Sequence, residues 1–228
     1  MLSYKGRTGE GVRTLFGEIA ERYDRNNALL SFGMFKRWNR ALIASLPKGA
    51  TLLDLCAGTG EIAFAHSRRS PAELILLDFC PEMLEIAKRK GGEGPTYLCA
   101  DAHTLPLEGE RVEAVSCAYG IRNLVDPVQC GREVYRVLKP GGIFSILELT
   151  RPRNPLLARL HSLHVRLMVP LLGRLFSPSR AAYAYLSESV RTFTDPYRLA
   201  EQLEQVGFST ARIKPLDGGA ATLITLTK

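Results

Sequence analysis

The stretch Leu53-Asp54-Leu55-Cys56-Ala57-Gly58-Thr59-Gly60-Glu61 decides the fold, because an apolar strand pattern runs directly into a glycine turn and a helical pattern. Glycines at such a junction allow a tight turn and let the backbone approach a ligand without interference from a Cβ atom. A dinucleotide fingerprint would need a third glycine where Ala63 stands, and no Gly-Lys-Ser/Thr of a phosphate loop follows. The ligand expected at this turn therefore carries no pyrophosphate.

Short apolar runs and helical stretches alternate outward from this turn. The runs lie at 51–56, 73–79, 96–99, 112–118 and 143–149, and the helical stretches at 60–69, 81–90 and 127–138. Two closing strands are expected near 208–214 and 220–227. The alternation predicts an α/β fold of the Rossmann-like, doubly wound kind, with a mostly parallel sheet of about seven strands and helices on both faces.

Further segments flank this sheet. Helical spacing of apolar residues over 12–23 and 35–46 predicts an N-terminal helical arm. Residues 155–176 are apolar with interspersed basic residues and no strand signal, which predicts a helical lid over the ligand crevice. We expect one domain over 1–228, divided into the arm (12–46), a cofactor-binding half (51–150), the lid (151–194) and a last helix with closing strands (195–228).

Composition narrows the class of protein. The hydrophobic content of 46% is ordinary for a globular chain. No apolar run approaches the roughly 18–20 residues that cross a bilayer, and the polar first ten residues lack a signal-peptide core. We therefore expect a cytoplasmic protein. The five cysteines stand singly, which argues against a disulfide framework and against a zinc knuckle.

The net charge of +7 is unevenly placed. Residues 150–186 hold six arginines and no Asp or Glu. A basic segment suits nucleic acid, an anionic membrane surface or an acidic ligand. Because these arginines alternate with Leu, Val and Met rather than with aromatic stacking residues, a membrane surface or an apolar tail is favoured over nucleic acid.

Carboxylates stand at three successive predicted strand ends. Asp54 ends the first strand, Asp78 ends the second 18 residues past Gly60, and Asp101-Ala102 ends the third. Each alone is often a helix cap or a turn residue. Together, beside the glycine turn, they indicate a nucleoside ligand without phosphates, with Asp78 on the ribose hydroxyls and Asp101 within reach of adenine. S-adenosylmethionine is the commonest such ligand.

Three longer motifs carry a resemblance to a known family. They are the run from Tyr23-Asp24-Arg25-Asn26-Asn27 to Ser31 followed by Trp38, the run Tyr119-Gly120-Ile121-Arg122-Asn123, and the run Arg136-Val137-Leu138-Lys139-Pro140-Gly141-Gly142 continuing to Glu148. They resemble the motifs of the demethylmenaquinone and 2-methoxy-polyprenylbenzoquinol C-methyltransferases. The segment from Tyr183 to Phe193 and Gly207-Phe208 extend the similarity over nearly the whole chain.

The chain departs from the family pattern at four places. Asn26 stands where the family usually has Met, Phe35 where it has His, and Ala118 where Ser is common. The closing run from Asp217 to Thr222 lacks the usual following His. These departures bear on the choice of acceptor more than on the reaction.

The resemblance implies methyl transfer from S-adenosylmethionine to a ring carbon of a polyprenylated quinol, in menaquinone and ubiquinone biosynthesis. Whether the acceptor is a naphthoquinol or a benzoquinol stays open. The implied cofactor-binding residues are Asp54, Ala57, Gly58, Thr59, Gly60, Asp78, Met83, Asp101, Ala102 and Ala118. The expected partners are the quinol and, transiently, an anionic membrane surface on its cytoplasmic side, with no nucleic acid. The assembly of several copies of the chain stays open.

The resemblance also implies that Tyr23, Arg122 and Asn123 act in the chemical step. A ring carbon is nucleophilic enough only when the neighbouring phenol loses its proton. Arg122, whose guanidinium stays protonated, would stabilise the phenolate and hold a water that takes the ring proton, while Tyr23 closes over the ring. From the residues alone, Tyr23 is equally a core residue of an amphipathic helix, and Arg122 a helix-cap or salt-bridge partner.

Three of the histidines are considered as general bases or metal ligands. His103 is interpreted as structural, and the pair His161 and His164 lacks a nearby carboxylate, so no metal site is expected.

A nucleic-acid methyltransferase remains an alternative that the basic charge allows, although the Asn/Asp-Pro-Pro-Tyr-type loop of base methylation is absent after the fourth strand. A non-catalytic cofactor-binding module is a further alternative, against which the ligand loop and the Arg122-Asn123 pair argue.

Replacement of Asp78 tests the ribose assignment. Asp78→Ala should weaken S-adenosylmethionine binding by roughly 1.5–3 kcal/mol, the contribution of a hydrogen bond to a charged group. The measurement is isothermal calorimetry on a variant whose circular dichroism shows that it is folded. Unchanged affinity in the folded variant would contradict the assignment.

Overall fold

The computed structural model describes residues 9–31, 33–163, 167, 185, 188–193 and 195–228. Its strands are β1 (Leu52–Leu55), β2 (Leu74–Asp78), β3 (Thr96–Cys99), β4 (Val112–Ala118), β5 (Leu138–Leu149), β6 (Arg212–Leu216) and β7 (Ala221–Thr227). They form one sheet in the order β3-β2-β1-β4-β5-β7-β6. The first five strands pair in parallel, and β7 runs antiparallel to both β5 and β6. The predicted seven-stranded, mostly parallel sheet is confirmed.

Seven helices with defined bounds accompany the sheet in the described part of the chain. They are α1 (Gly9–Ile19), α2 (Tyr23–Leu30), α3 (Met34–Ser45), α4 (Glu61–Arg69), α5 (Pro81–Gly91), α6 (Pro127–Val137) and α7 (Pro196–Glu204). The last three begin at a proline, whose missing N–H costs nothing in a first helical turn. The side chains of Asp126 and Asp195 accept backbone N–H groups and cap α6 and α7. Residues 155–163 are also helical.

The core lies on both faces of the sheet, so the central strands are apolar throughout rather than alternating. All four residues of β1 are buried. On one face Phe144 and Ile146 pack with apolar residues of α6 and α7, and on the other Leu52 and Leu76 pack with residues of α4 and α5. Burial on both sides is the usual state of parallel strands joined by helices.

Three boundaries differ from the sequence-based prediction. The arm helix predicted over 12–23 ends at Ile19, a single 3-10 turn follows, and α2 then continues to Leu30. The fifth strand begins at Leu138 instead of 143, because Leu138 pairs with Val112 before the ladder resumes past an irregularity. The strand predicted over 208–214 is found at 212–216, and Phe208 packs before it against Phe144.

The arm is fastened to the sheet domain at two places. Trp38 Nε1 donates to Asp217 Oδ2 over 2.6 Å, and Arg37 forms an ion pair with the same carboxylate. Asp24 accepts from Thr59 Oγ1 over 2.7 Å and from Lys90 Nζ over 2.5 Å. One end of the arm is therefore held by the turn before β7 and the other by the glycine turn after β1.

The predicted lid is described only in part. Residues 155–163 and 167 are helical, as are 185 and 188–192, whereas 164–166, 168–184 and 186–187 lie outside the described residues. Among the residues described, no helix is long and apolar enough to cross a membrane.

Candidate functional site

The central strands β1 and β4 are neighbours in the sheet. After β1 the chain continues to β2 on one side, and after β4 it continues to β5 on the other side. A crevice forms at such a switch point, and ligands of doubly wound sheets bind there. Cys56 directly follows β1, and Tyr119 directly follows β4. Their φ angles are positive, 55° and 59°, which side-chain-bearing residues rarely adopt. A Cβ on Gly120 would lie 2.4 Å from Cys56 Cβ, so the two loops touch. Backbone strain of this kind concentrates at functional sites.

A cavity of about 480 Å³ opens at this edge of the sheet. Its walls come from the glycine turn, the ends of β2 and β3, the segment after β4, and the arm. Of the predicted site residues it is lined by Tyr23, Gly58, Asp78, Met83, Asp101, Ala102, Ala118 and Asn123. The cavity therefore brings together most of the residues expected for cofactor binding and two of the three expected for chemistry.

The glycine turn is held against β2 by a carboxylate. The Gly58 N–H donates to Asp78 Oδ2 over 2.7 Å, and the Cys80 N–H donates to Asp78 Oδ1 over 2.8 Å. Burial raises the pKa of Asp78, and these backbone donors oppose the shift. Gly60 has φ +79°, and a Cβ there would collide with Phe64 and Leu76. The turn thus requires glycine at position 60, while Asp78 both shapes the turn and faces the cavity.

The four other predicted cofactor residues, Asp54, Ala57, Thr59 and Gly60, are not among the described residues that line the cavity. Asp54 is buried behind the turn, where Ser116 Oγ donates to it over 2.7 Å and the Ala63 N–H over 3.2 Å. Burial raises the pKa of Asp54 to about 7. Thr59 donates to Asp24 of the arm. The structure therefore gives Asp54 and Thr59 contacts that support the turn from behind.

Asp101 and His103 form a hydrogen-bonded pair just after the end of β3, and both line the cavity. Asp101 Oδ1 accepts from the His103 N–H over 2.9 Å and lies 2.6 Å from His103 Nδ1. Burial alone would raise the pKa of Asp101, but its hydrogen bonds from His103 outweigh burial and lower that pKa. Asp101 is therefore a carboxylate held in one orientation.

Arg122 is not among the described residues that line the cavity. Its guanidinium is buried with Glu148, with Nη1 2.5 Å from Glu148 Oε1, 2.5 Å from the Tyr119 carbonyl oxygen, and with Nε donating to Ser189 Oγ over 3.3 Å. Burial acts to lower the pKa of Arg122, but the negative charge of Glu148 outweighs it and the pKa is raised. The structure places Arg122 as a salt-bridge partner, one of the two roles that the residues alone had left open.

Asn123 and Tyr23 are the residues of the implied catalytic set that reach the cavity. Asn123 Nδ2 donates to the Tyr119 carbonyl over 3.2 Å, and Asn123 Oδ1 accepts from Tyr185 Oη over 2.9 Å. Burial raises the pKa of Tyr23, and the nearby positive charge of Arg122 partly opposes this rise. The field of Arg122 thus reaches the phenol side of the cavity although its side chain does not.

Sequence reasoning missed the contribution of the first helix. Val12, Arg13 and Phe16 line the cavity, and the Phe16 ring packs edge-on against Tyr23 and Tyr185 at centroid distances of 6.0 and 6.4 Å. The helical spacing that joined Phe16 to Tyr23 on one face was a usable signal. It could not show that this face turns toward the ligand crevice.

No metal site emerges from the part of the chain that the structure describes. Within it, no three His, Cys, Asp or Glu side chains are grouped to hold a metal ion. Of the histidine pair considered above, His161 lies in the helical residues 155–163, and His164 lies outside the described residues.

Comparison with known proteins places these observations in a family. The model of the ubiE/COQ5 methyltransferase family matches residues 4–228. Demethylmenaquinone methyltransferase of Protochlamydia amoebophila is 41% identical over 236 residues, covering 99% of this chain and 98% of the relative. The protein of the same name from Chlamydia pneumoniae is 41% identical over 220 residues, covering 95% of each.

Solved structures agree on the fold. An S-adenosylmethionine-dependent methyltransferase from Mesorhizobium loti superposes with a TM-score of 0.60 at 16% identity, covering 83% of this chain and 96% of that one. A similar enzyme from Aquifex aeolicus gives 0.58 at 19% identity, covering 80% and 84%. Because the family model spans almost every residue from the arm to β7, this chain belongs to the ubiE/COQ5 methyltransferase family.

Proposed function

We propose that this chain methylates a ring carbon of demethylmenaquinol with S-adenosylmethionine as methyl donor, in menaquinone biosynthesis. One observation carries the proposal: a single cavity holds the nucleoside-type carboxylates Asp78 and Asp101 together with Tyr23 and Asn123. The relatives named demethylmenaquinone methyltransferase, which match nearly the whole chain, support the choice of acceptor.

The cavity residues fit a nucleoside with a charged tail better than a nucleotide. Asp78 and Asp101 offer carboxylates to hydroxyl and amino groups, and such groups would repel a phosphate. A Cβ on Gly58 would meet nothing within 4 Å, so the backbone there is open to a ligand. Met83, Ala102 and Ala118 supply an apolar surface for a flat base. When bound, S-adenosylmethionine supplies an electrophilic methyl group on its sulfonium.

The charged and phenolic side chains beside the cavity are the groups that would promote deprotonation of the acceptor quinol. The quinol must lose a phenol proton before its ring carbon can attack. Among the charges near the Tyr23 phenol, Arg122 acts to lower its pKa, and the smaller contributions of Asp78 and Glu148 act to raise it. We expect the same balance, with Arg122 the largest of these charges, on a quinol phenol held beside Tyr23. The Glu148 partner and the Tyr119 carbonyl hold the guanidinium in place. We therefore assign Arg122 a positioning and electrostatic role, exerted through its field without direct contact with the acceptor.

The lid carries a surface suited to a membrane-dissolved substrate. In the helical residues 155–163, Leu156, Leu160 and Leu163 are 66%, 56% and 54% exposed, and their spacing places them on one face. Arg151 and Arg159 border a shallow cavity of about 340 Å³ beside this face. Exposed leucines flanked by arginines match an interfacial surface, where each basic residue contributes about 1 kcal/mol near anionic headgroups. We propose that this face rests transiently on an anionic membrane while the quinol is taken up.

Turnover on alternative acceptors tests the function. With S-adenosylmethionine, the protein should methylate a short-chain demethylmenaquinol on its ring, as detected by mass spectrometry. Bulk RNA in parallel reactions should stay unmethylated, because the exposed lid leucines offer no stacking surface for bases. A short-chain benzoquinol in a third reaction measures the preference between quinol classes. Methylated RNA together with unmodified quinol would refute the proposal.

A neutral replacement of the buried ion pair tests the field of Arg122. Arg122→Ala alone would leave Glu148 buried and unpaired, which costs about 3–5 kcal/mol of stability. The double variant Arg122→Met/Glu148→Gln avoids that cost and should keep its cofactor affinity. Its kcat should fall by a factor on the order of 10²–10³, the loss expected for an electrostatic group.

Arg122→Lys, which keeps the charge, is the matched control and should retain more activity than the neutral pair. Equal kcat in the parent and the neutral pair, or a collapse of cofactor affinity, would show that the role is wrong.

Sedimentation with liposomes of graded anionic content tests the membrane surface. Binding should rise with anionic lipid, fall with salt, and decrease in Arg151→Gln/Arg159→Gln and in Leu156→Ser/Leu160→Ser. The charge-matched control Arg40→Gln/Arg212→Gln removes two exposed arginines outside the lid and should bind like the parent. Arg166 and Arg174 of the predicted lid lie outside the described residues. Binding that ignores lipid charge, or lid variants that bind like the parent, would leave the lid without a membrane role.

A further inference from the structure

His103 connects two of the loops that form the cavity. It follows the end of β3, and it reaches across to the start of α6, where its Nε2 lies 3.1 Å from the Asp126 N–H. The Gln129 side chain donates to the His103 carbonyl over 3.4 Å. The Asp126 side chain is engaged in capping α6, so its backbone provides a fixed anchor. His103 thereby holds the β3 loop at a set distance from the loop that follows β4.

These contacts determine where the imidazole proton lies. A backbone N–H can only donate, so His103 Nε2 must be the acceptor from Asp126. The ring proton of the neutral imidazole is then on Nδ1, which donates to Asp101 Oδ1 over 2.6 Å. Together with the His103 backbone N–H, two donors of one residue converge on a single carboxylate oxygen.

This arrangement fixes the orientation of the Asp101 carboxylate. Oδ1 is occupied by His103, and Oδ2 accepts no hydrogen bond from any residue in the described part of the chain. Asp101 and His103 both line the cavity, next to Ala102. A ligand N–H group that enters this corner thus meets one preset acceptor. Orientation by a neighbouring hydrogen bond is the means by which binding groups gain specificity.

We propose that His103 is a positioning residue for base selection: it orients Asp101 so that the carboxylate accepts from the exocyclic amino group of adenine and disfavours a purine with oxygen at that position. The inference rests on the proposed function, since it requires the nucleoside of S-adenosylmethionine in this cavity. Hypoxanthine presents a carbonyl oxygen where adenine presents an amino group. A fixed carboxylate facing that oxygen would lose a charge-assisted hydrogen bond and be left unpaired, which penalises the wrong base strongly.

Two ligands that differ only at this position measure the effect without any turnover. Dissociation constants of S-adenosylhomocysteine and S-inosylhomocysteine are determined by calorimetry for the parent, His103→Ala, His103→Asn and His103→Gln. The parent should prefer the adenosyl ligand by about 10- to 150-fold, the range that one hydrogen bond to a charged group provides. In His103→Ala the preference should fall to about threefold or less, mainly through weaker adenosyl binding.

The two amide variants separate the hydrogen bonds of the ring. The asparagine amide can reach Asp101 as Nδ1 does, so His103→Asn should retain most of the preference. The glutamine amide replaces the Nε2 acceptor instead, so His103→Gln should lose preference as His103→Ala does. His161→Ala, in the lid helix, is the matched control and should keep both affinities. If His103→Ala does not fold, the difference between His103→Asn and His103→Gln tests the same role.

The outcomes distinguish the inference from the function on which it rests. Equal weakening of both ligands in His103→Ala, or an unchanged preference in all three variants, would overturn the positioning role while leaving the methyltransferase function intact. A parent protein that binds neither ligand would overturn the proposed function and this inference together.

Discussion

The buried ion pair of Arg122 and Glu148 is the interaction on which the rest of the site depends. Glu148 belongs to β5, and Arg122 to the turn after β4, so the pair fastens the ends of two neighbouring central strands. Both side chains are almost fully buried, where an unpaired charge is costly and a paired one has few alternative positions. The pair holds the turn that carries Arg122, and in this turn Asn123 lines the cavity while Arg122 is buried with Glu148. Ser189 from the second half of the lid joins the same pair.

The arm converts this edge of the sheet into an enclosed site. Asp24 links it to the glycine turn through Thr59 and to α5 through Lys90, while Phe16 and Tyr23 line the cavity together with Asp78. The glycine turn is thus bonded directly to the arm, and both line the same cavity.

The sequence was informative about features set by neighbouring residues and about positions that follow from the parallel order of the strands. The glycine turn and the strand before it are short-range features, and the carboxyl ends of parallel strands meet at one edge, so Asp78 and Asp101 could be placed together in advance. The orientation of Arg122 could not, since its choice between cavity and salt bridge depends on Glu148, 26 residues away on another strand. Asp54 likewise accepts from Ser116 and is not among the described residues that line the cavity, and neither fact could be read from its position at a strand end. The roles assigned to Tyr23 and Asn123 came from the family resemblance, which no spacing rule replaces.

The position of β7 has a consequence for how the protein is made. The last strand in the chain lies inside the sheet, between β5 and β6, and the turn before it supplies Asp217 to Trp38, 179 residues earlier. During synthesis the N-terminal parts emerge first. The edge of β5 that β7 covers therefore stays unpaired, and the contact between Trp38 and Asp217 stays unmade, until β7 and the turn before it have been synthesised. An exposed strand edge of this kind is a site for mispairing with other chains. The described lining of the cavity, from Val12 to Gln129, is therefore synthesised before the strand that covers the edge of β5, and it forms beside a sheet that is still open to mispairing.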